Sequence, residues 1–415
     1  MNVVIIGNSA AGLSGLEAFR KQDQTSLVTL IAKEDQRPYS KVLLPYYLRG
    51  KVPYDHLFIR DKDYFNRLKV NCVKGTVIKL LVDQQCVQLD GGTLLPYDKL
   101  LIASGSSPVK PPIPGLSGEG IHHLWTLEDV RQLKTHFIKG KRVAVLGSGF
   151  VSLQGACAAL SQGLTVSVIE LVERIMMRAL DEQGADILAE QMKSKGVDLR
   201  VNTLTTRIDK AEEQRYLLHF KDGGHLESDF IIVGTGVRPN IDFLEGTGVK
   251  VDAGILVNEQ MESSQPGIYA AGDVAQVPSF NGGRPVVHAL WPTAVETGII
   301  AGACMASGNN RYKGSLNMNV TQMFDLTVAS MGEFIGDDGC ESWIDKSLPD
   351  QQYLKIVLKD DVPIGATCVG SADLAATLGM LRPLIRGKVR LSGKPETLKS
   401  IMAQNISQHH QAFVK

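Results

Sequence analysis

An α/β fold with two Rossmann-like dinucleotide-binding domains and a further α+β domain is predicted by three features of this 415-residue chain. A strand, a tight small-residue loop and a helix start occur twice, at residues 3–12 (VVIIGNSAAG) and 142–152 (RVAVLGSGFVS). Each copy has the form of the opening of a βαβ unit that cradles a dinucleotide pyrophosphate. Each is followed by a buried-type strand ending in small residues, at 98–108 (DKLLIASGSSP) and 230–236 (FIIVGTG). From residue 315 onward the pattern changes to alternating strand-like segments. Two dinucleotides in one chain imply redox chemistry.

The chain is too long for one ordinary core, and two or three domains are expected. Lys plus Arg and Asp plus Glu both number 44, so no global charge selects nucleic acid or an anionic surface. No apolar run reaches the roughly 20 residues of a membrane span. The first strand begins right after Met1, which leaves no room for a leader, and a cytoplasmic location is expected. Six cysteines are scattered without iron-sulfur or zinc spacing, so they read as small buried hydrophobes and no metal site is expected.

In the first loop the spacing is Gly7-x-Ser9-x-x-Gly12. The first glycine permits the turn, the small middle residue lets N–H groups reach phosphate, and the third lets helix and strand approach. The strand at 27–31 leads to Glu34, placed to accept hydrogen bonds from a ribose. Residues 109–120 (VKPPIPGLSGEG) read as a linker, and 126–137 as a helix. The second loop is Gly147-x-Gly149-x-x-Ser152, and the strand at 165–170 ends on Glu170, a carboxylate that favours NAD(H) over NADP(H). A strand then runs into Gly272-Asp273, whose carboxylate suits the ribityl or phosphate part of a flavin. Residues 291–306 read as a helix with Pro292 in its first turn, and 352–358 and 363–369 as strands. His288 falls beside this helix start and reads as a packing residue, while His409 and His410 read as solvated ends of a polar tail.

Together the two loops, the strand ends at 103–105 and 234–236, Ala271-Gly272-Asp273 and Trp291-Pro292-Thr293-Ala294 resemble the FAD- and NAD(P)-dependent pyridine-nucleotide disulfide oxidoreductases. The chain is most similar to the branch holding rubredoxin reductases, the flavin part of nitrite reductases, NADH oxidases and CoA-disulfide reductases. The resemblance implies an FAD domain (1–110 and 238–314), an inserted NAD domain (111–237) and a C-terminal interface domain (315–415). It implies that Gly7, Ser9, Ala11, Gly12, Glu34, Lys41, Ser104, Gly105, Gly272, Asp273, Trp291 and Pro292 hold FAD. Gly147, Gly149, Ser152, Gln154, Glu170 and Gly236 would hold NAD. No protein side chain is assigned the chemistry, since flavin N5 is the reactive centre; Lys41, Tyr46 and Trp291 are candidates near it.

CoA-disulfide reductases carry a redox cysteine in a Cys-Gly-Leu-Pro-Tyr-Tyr stretch, and here residues 42–47 read VLLPYY. Val42 forms no thiolate and no sulfenic acid. The implied activity is therefore electron transfer between NAD(H) and an external one-electron carrier: a ferredoxin, a rubredoxin or an iron-sulfur subunit of a larger complex. An oxidase that reduces oxygen or a small oxidant is the alternative, and a non-catalytic flavoprotein assembly subunit the second. The resemblance also allows a homodimer.

Overall fold

In the computed structural model, which describes residues 1–211 and 215–391, the chain opens with β1 (Asn2–Ile6), α1 (Ala10–Arg20), β2 (Leu27–Ala32), α2 (Leu44–Leu48), β3 (Val70–Lys74), β4 (Lys99–Ile102) and β5 (Ser106–Pro108). There follow β6 (Ile121–His122), α3 (Leu127–His136), β7 (Arg142–Leu146), α4 (Phe150–Ser161), β8 (Thr165–Ile169), α5 (Glu182–Ser194), β9 (Asp198–Arg200) and β10 (Phe230–Val233). Next come β11 (Val237–Pro239), β12 (Ile268–Ala270) and α6 (Trp291–Met305). The described chain ends with β13 (Met318–Met323), β14 (Leu326–Gly332), β15 (Glu341–Ser347), β16 (Gln352–Lys359), β17 (Val362–Gly370) and α7 (Ala372–Gly387). His409 and His410 lie outside the described residues.

Two compact units result. The first holds Met1–Val109, Trp125–Leu127 and Val237–Leu316. Its parallel sheet has the order β12-β4-β1-β2-β3, so the chain crosses from one side of β1 to the other and opens a crevice at its carboxyl end. That reversal sets the Gly7 loop between Ile31 and Ala103, since Ile6 pairs with both Ile31 and Ile102. Val3, Val4 and Ile5 are almost fully buried, which is why the strand carries an apolar run rather than an alternation.

α1 and α6 run parallel and approach to backbone contact. A Cβ on Gly298 would lie 2.4 Å from the Ala11 carbonyl oxygen, and one on Gly302 would lie 2.0 Å from that of Gly15. Only glycine fits there. Within this unit β5 and β11, the strands leaving and re-entering it, pair antiparallel.

The second unit holds Lys110–Leu124, Glu128–Gly236 and the chain from Asn317 onward. Its parallel sheet, β9-β8-β7-β10-β6, repeats the plan of the first around β7. A five-stranded antiparallel sheet, β13-β14-β17-β16-β15, belongs to the same unit. Buried polar ties explain why. Tyr353 donates to Asp181 at 2.6 Å, and the other oxygen of Asp181 caps α5 at the Gly184 amide. Thr367 donates to the Ala179 carbonyl at 2.8 Å, and the Gln191 amide to the Phe324 carbonyl at 2.8 Å. Each of these groups would be costly to bury alone.

His122 on β6 packs against His136 at the end of α3, with ring centroids 4.5 Å apart and the rings tilted by 51°. Burial first, and then the nearby His136, push His122 down to about 4. As pH falls below the ordinary histidine value of about 6.5, the unfolded chain takes up the proton before the folded one does, so stability is lost between pH 6.5 and 4. A loss of about 2 kcal/mol is expected at pH 5 relative to pH 7. Urea titrations of wild type and His122→Phe at both pH values test this. Equal losses in the two proteins would refute it.

Candidate functional site

Each unit carries one cradle. In the first, the turn after β1 requires Gly7 at φ +108°, where an added Cβ would lie 2.2 Å from the Ala103 carbonyl oxygen. Gly12 is equally constrained, since its Cβ would lie 1.9 Å from the Gly7 carbonyl oxygen. The loop therefore closes on itself and turns N–H groups outward. Ser9 is the N-cap of α1 yet makes no side-chain cap, and the first turn holds no acidic residue. α6 begins the same way, with Leu290 at the N-cap and a proline in the first turn. By contrast α5 and α7 are capped by Asp181 and Ser371. The two helices at this cradle keep their positive ends bare, which suits an anionic ligand.

The Gly272 turn sits between those two helix starts: a Cβ there would meet Ala11 at 2.9 Å and Ala294 at 3.6 Å. It carries Asp273, half-buried and accepting from the Ser106 hydroxyl at 2.7 Å. Burial raises the Asp273 carboxyl, while the Ser106 hydrogen bond and the charge of Lys41 oppose it. The Lys41 ammonium stands 5.1 Å from the Trp125 ring centre, and the Trp125 indole donates to the Ser106 carbonyl at 3.0 Å. Glu34 accepts from the Tyr39 hydroxyl at 2.7 Å. The structure thus brings Ala11, Gly272, Asp273 and Lys41 into one polar cluster with Ser106.

Ser104 is directed elsewhere: its hydroxyl donates to the Asn240 carbonyl, and Asn240 donates back to the Ser104 carbonyl. Gly105, at φ +69°, has open space where a Cβ would project. Val42 is 53 % exposed in a short turn before α2. Tyr46 lies on α2 beneath the Arg49 guanidinium, 5.9 Å from its ring centre. Trp291 and Pro292 open α6, and Trp291 borders a cleft of about 450 Å³ between α1 and α6.

The second cradle repeats the design with one change. Gly147 takes φ +96°, and Ser152, at the position of the third glycine, donates to the Gly234 carbonyl at 2.7 Å. The serine fills the gap over Gly234, where a Cβ would lie 2.2 Å from its hydroxyl oxygen. Gly149 caps α4 with no side chain, and α4 also lacks an acidic first turn. A Cβ on Gly149, or on Gly236 at φ +114°, would meet nothing within 4 Å. Space that the chain leaves unfilled beside a bare helix end fits a pyrophosphate.

Glu170 lies beside this loop, accepting from the Ser148 amide at 2.8 Å and hydroxyl at 2.5 Å. Gln154 is not brought to the loop. Its amide nitrogen donates to the Thr321 hydroxyl and the Gln322 carbonyl, and its buried oxygen has no partner.

Ser106, Asn240 and Ser148 were not singled out by sequence reasoning. Ser148 had a signal, lying between the two glycines of a loop already recognised. Among the described residues no group of three His, Cys, Asp or Glu side chains is placed to hold a metal ion, and no helix is long and apolar enough to cross a membrane.

Two bare-ended Gly loops, each at the reversal of a parallel sheet, define a protein that binds two dinucleotides. Residues 1–298 match the family model of the pyridine nucleotide-disulphide oxidoreductases, and the chain belongs to that family. It is 32 % identical over 364 residues to the NADH-dependent phenylglyoxylate dehydrogenase subunit epsilon of Aromatoleum evansii, covering 87 % of this chain and 86 % of that one. It is 30 % identical over 335 residues to the ferredoxin–NAD(+) reductase component of the anthranilate 1,2-dioxygenase system of Burkholderia cepacia, covering 80 % and 82 %. The reductase in the covalent putidaredoxin reductase–putidaredoxin complex shares the fold, with a TM-score of 0.86, 24 % identity and coverage of 96 % and 95 %. The protein is an FAD-dependent NAD(P)H oxidoreductase.

Proposed function

We propose that this protein oxidises NADH and passes the electrons one at a time to an iron-sulfur or rubredoxin-type partner, either a free carrier or another subunit of a larger complex. The observation that carries the reading is that one chain holds two cradles, while the stretch that resembles the redox-cysteine segment of CoA-disulfide reductases begins with Val42. The first cysteine of the whole chain is Cys72. The relatives named a dehydrogenase subunit and a ferredoxin–NAD(+) reductase component support an external acceptor.

FAD, when bound, supplies the conversion of a hydride's electron pair into single electrons. The chain's residues do the holding. N–H groups of the Gly7–Gly12 turn and the start of α1 bind the FAD pyrophosphate, and Glu34 orients its adenosine ribose. Asp273 and Ser106 fix the ribityl region, and the start of α6 lends positive potential to the flavin ring. Gly147, Gly149 and Ser152 bind the NADH pyrophosphate, with Glu170 at the ribose, where a carboxylate repels a 2′-phosphate and so selects NADH. A cytoplasmic setting goes with this reading.

Glu170→Ala is expected to raise KM for NADH about tenfold, the magnitude of one hydrogen bond to a charged group, with kcat nearly unchanged. A fall in kcat at constant KM would place Glu170 elsewhere.

Anaerobic NADH should bleach the flavin of the holoprotein, and the reduced protein should be reoxidised faster by a reconstituted ferredoxin than by air. Rapid reoxidation by air alone would favour an oxidase. Failure of NADH to bleach the flavin would favour a non-catalytic subunit.

A further inference from the structure

Ser148, between the two glycines of the second cradle, is tied to Glu170 twice. Its amide and its hydroxyl both donate to one carboxylate oxygen of Glu170, at 2.8 and 2.5 Å. The register of the parallel sheet brings the two residues together, since Leu146 at the end of β7 is the partner of Ile169 at the end of β8. The backbone of Glu170 is already fixed, its amide bonded to the Arg200 carbonyl at 2.8 Å and its carbonyl to the Thr203 amide at 2.9 Å. Only its side-chain torsions are left to settle. Ser148, itself 3 % exposed, settles them, because an amide bond and a charge-assisted hydroxyl bond together hold the carboxylate at one place beside the loop.

The other oxygen of Glu170 accepts from the Val172 amide at 3.2 Å. A carboxylate has about four acceptor sites, so the chain takes three and leaves one for a ligand, on the oxygen that Ser148 does not hold. We propose that Ser148 is a positioning residue for nucleotide choice: its hydroxyl aims Glu170 before the nucleotide arrives, so that Glu170 takes one ribose hydroxyl of NAD(H) and opposes a 2′-phosphate in the same place. The inference rests on the reading of Glu170 as the residue that selects NADH. Ser148 acts through Glu170 and touches no reacting atom. A glutamate left free would have to be ordered as the ribose binds, which costs affinity, and it would swing away from an added phosphate. The hydroxyl therefore favours NAD(H) and disfavours NADP(H) at once.

The test compares FAD-loaded wild type, Ser148→Ala, Glu170→Ala and the double variant. Dissociation constants of NAD+ and NADP+ are measured by calorimetry on the oxidised protein, where no electron moves. Wild type should prefer NAD+. In Ser148→Ala, NAD+ should bind about fivefold more weakly, the ordering cost of one long side chain, and NADP+ no more weakly than in wild type. On the Glu170→Ala background the same substitution should change neither constant, because the carboxylate it acts through is gone. A preference for NAD+ that survives unchanged in Ser148→Ala overturns the role of Ser148 and leaves the reading of Glu170 standing. So does tighter NAD+ binding, which would mean that the freed acceptor site takes a second ribose hydroxyl. An equal loss for both nucleotides, repeated on the Glu170→Ala background, would make Ser148 a support of the loop and overturn its role in choice. A wild-type protein that binds NAD+ and NADP+ alike overturns both.

Discussion

Gly149→Asp should yield a yellow, fully folded and slightly stabilised protein that NADH no longer reduces. The expectation follows from three observations at one position. A Cβ at Gly149 meets nothing within 4 Å, so the side chain enters without displacing any atom of the chain. The residue has φ −75° and ψ 177°, an extended N-cap conformation open to any amino acid. The helix it starts has no acidic residue in its first turn and no side-chain cap. Aspartate is among the best N-cap residues, and replacing a glycine cap of α4 with it should add a few tenths of a kcal/mol of stability. On the proposed function the same carboxylate would stand where the second cradle takes the NADH pyrophosphate, and it would replace a positive helix end with a negative charge. Loss of those hydrogen bonds together with charge repulsion should weaken NADH at least a hundredfold, about 3 kcal/mol. Thermal melting would read the first effect, and anaerobic titration of the flavin absorbance with NADH the second. A variant that bleaches at wild-type NADH concentrations would show that the second cradle does not hold the nicotinamide nucleotide. Melting that falls by several degrees would show that Gly149 is needed by the fold and not by a ligand.

This part of the candidate site is legible in the sequence because it is local. A Gly loop, its strand and its helix start are contiguous, so spacing alone places them. Glu34 and Glu170 follow because they end the next strand of the same unit. What the sequence hid depends on residues far apart. Ser106 reaches Asp273 across 167 positions and Ser107 reaches Asn240 across 133, and no local pattern marks either pair. Gln154 is assigned to NAD by the family resemblance alone. Its amide is drawn off by Thr321 and Gln322 on a strand 167 and 168 residues away. The α+β character of the region after residue 315 was visible in its alternation. Its membership in the second compact unit was not, because the deciding bonds, Tyr353 to Asp181 and Thr367 to Ala179, link strands to a helix start and a loop outside that region.

Gly12→Ala is expected to have the largest effect on the first unit, although it adds a single methyl group. The new Cβ would lie 1.9 Å from the Gly7 carbonyl oxygen and 3.6 Å from the Ile5 side chain. Neither the carbonyl nor the strand behind it can yield, because the Gly7 amide is bonded to the Ile31 carbonyl at 2.8 Å and Gly7 is itself pressed against Ala103. Lifting α1 away from the loop is also closed, since α1 is held against α6 through Ala11 and Gly298, whose own Cβ would stand 2.4 Å from the Ala11 oxygen. The methyl must therefore distort the turn that, on the proposed function, presents N–H groups to the FAD pyrophosphate. Overpacking against two fixed backbones should cost about 3 kcal/mol or more and lower the melting temperature by roughly 5–10 °C. The protein should purify without its yellow colour. Gly50→Ala is the control, because it lies in the same unit at a position not assigned to FAD and its Cβ would meet nothing within 4 Å. Its φ of +73° carries the left-handed penalty of about 1–2 kcal/mol and no collision, so FAD should remain bound. The ratio of flavin to protein absorbance in the two purified variants reads the difference. Equal flavin content in Gly12→Ala and wild type would mean that the loop has room the contacts deny, and that something other than the Gly7–Gly12 turn holds the pyrophosphate.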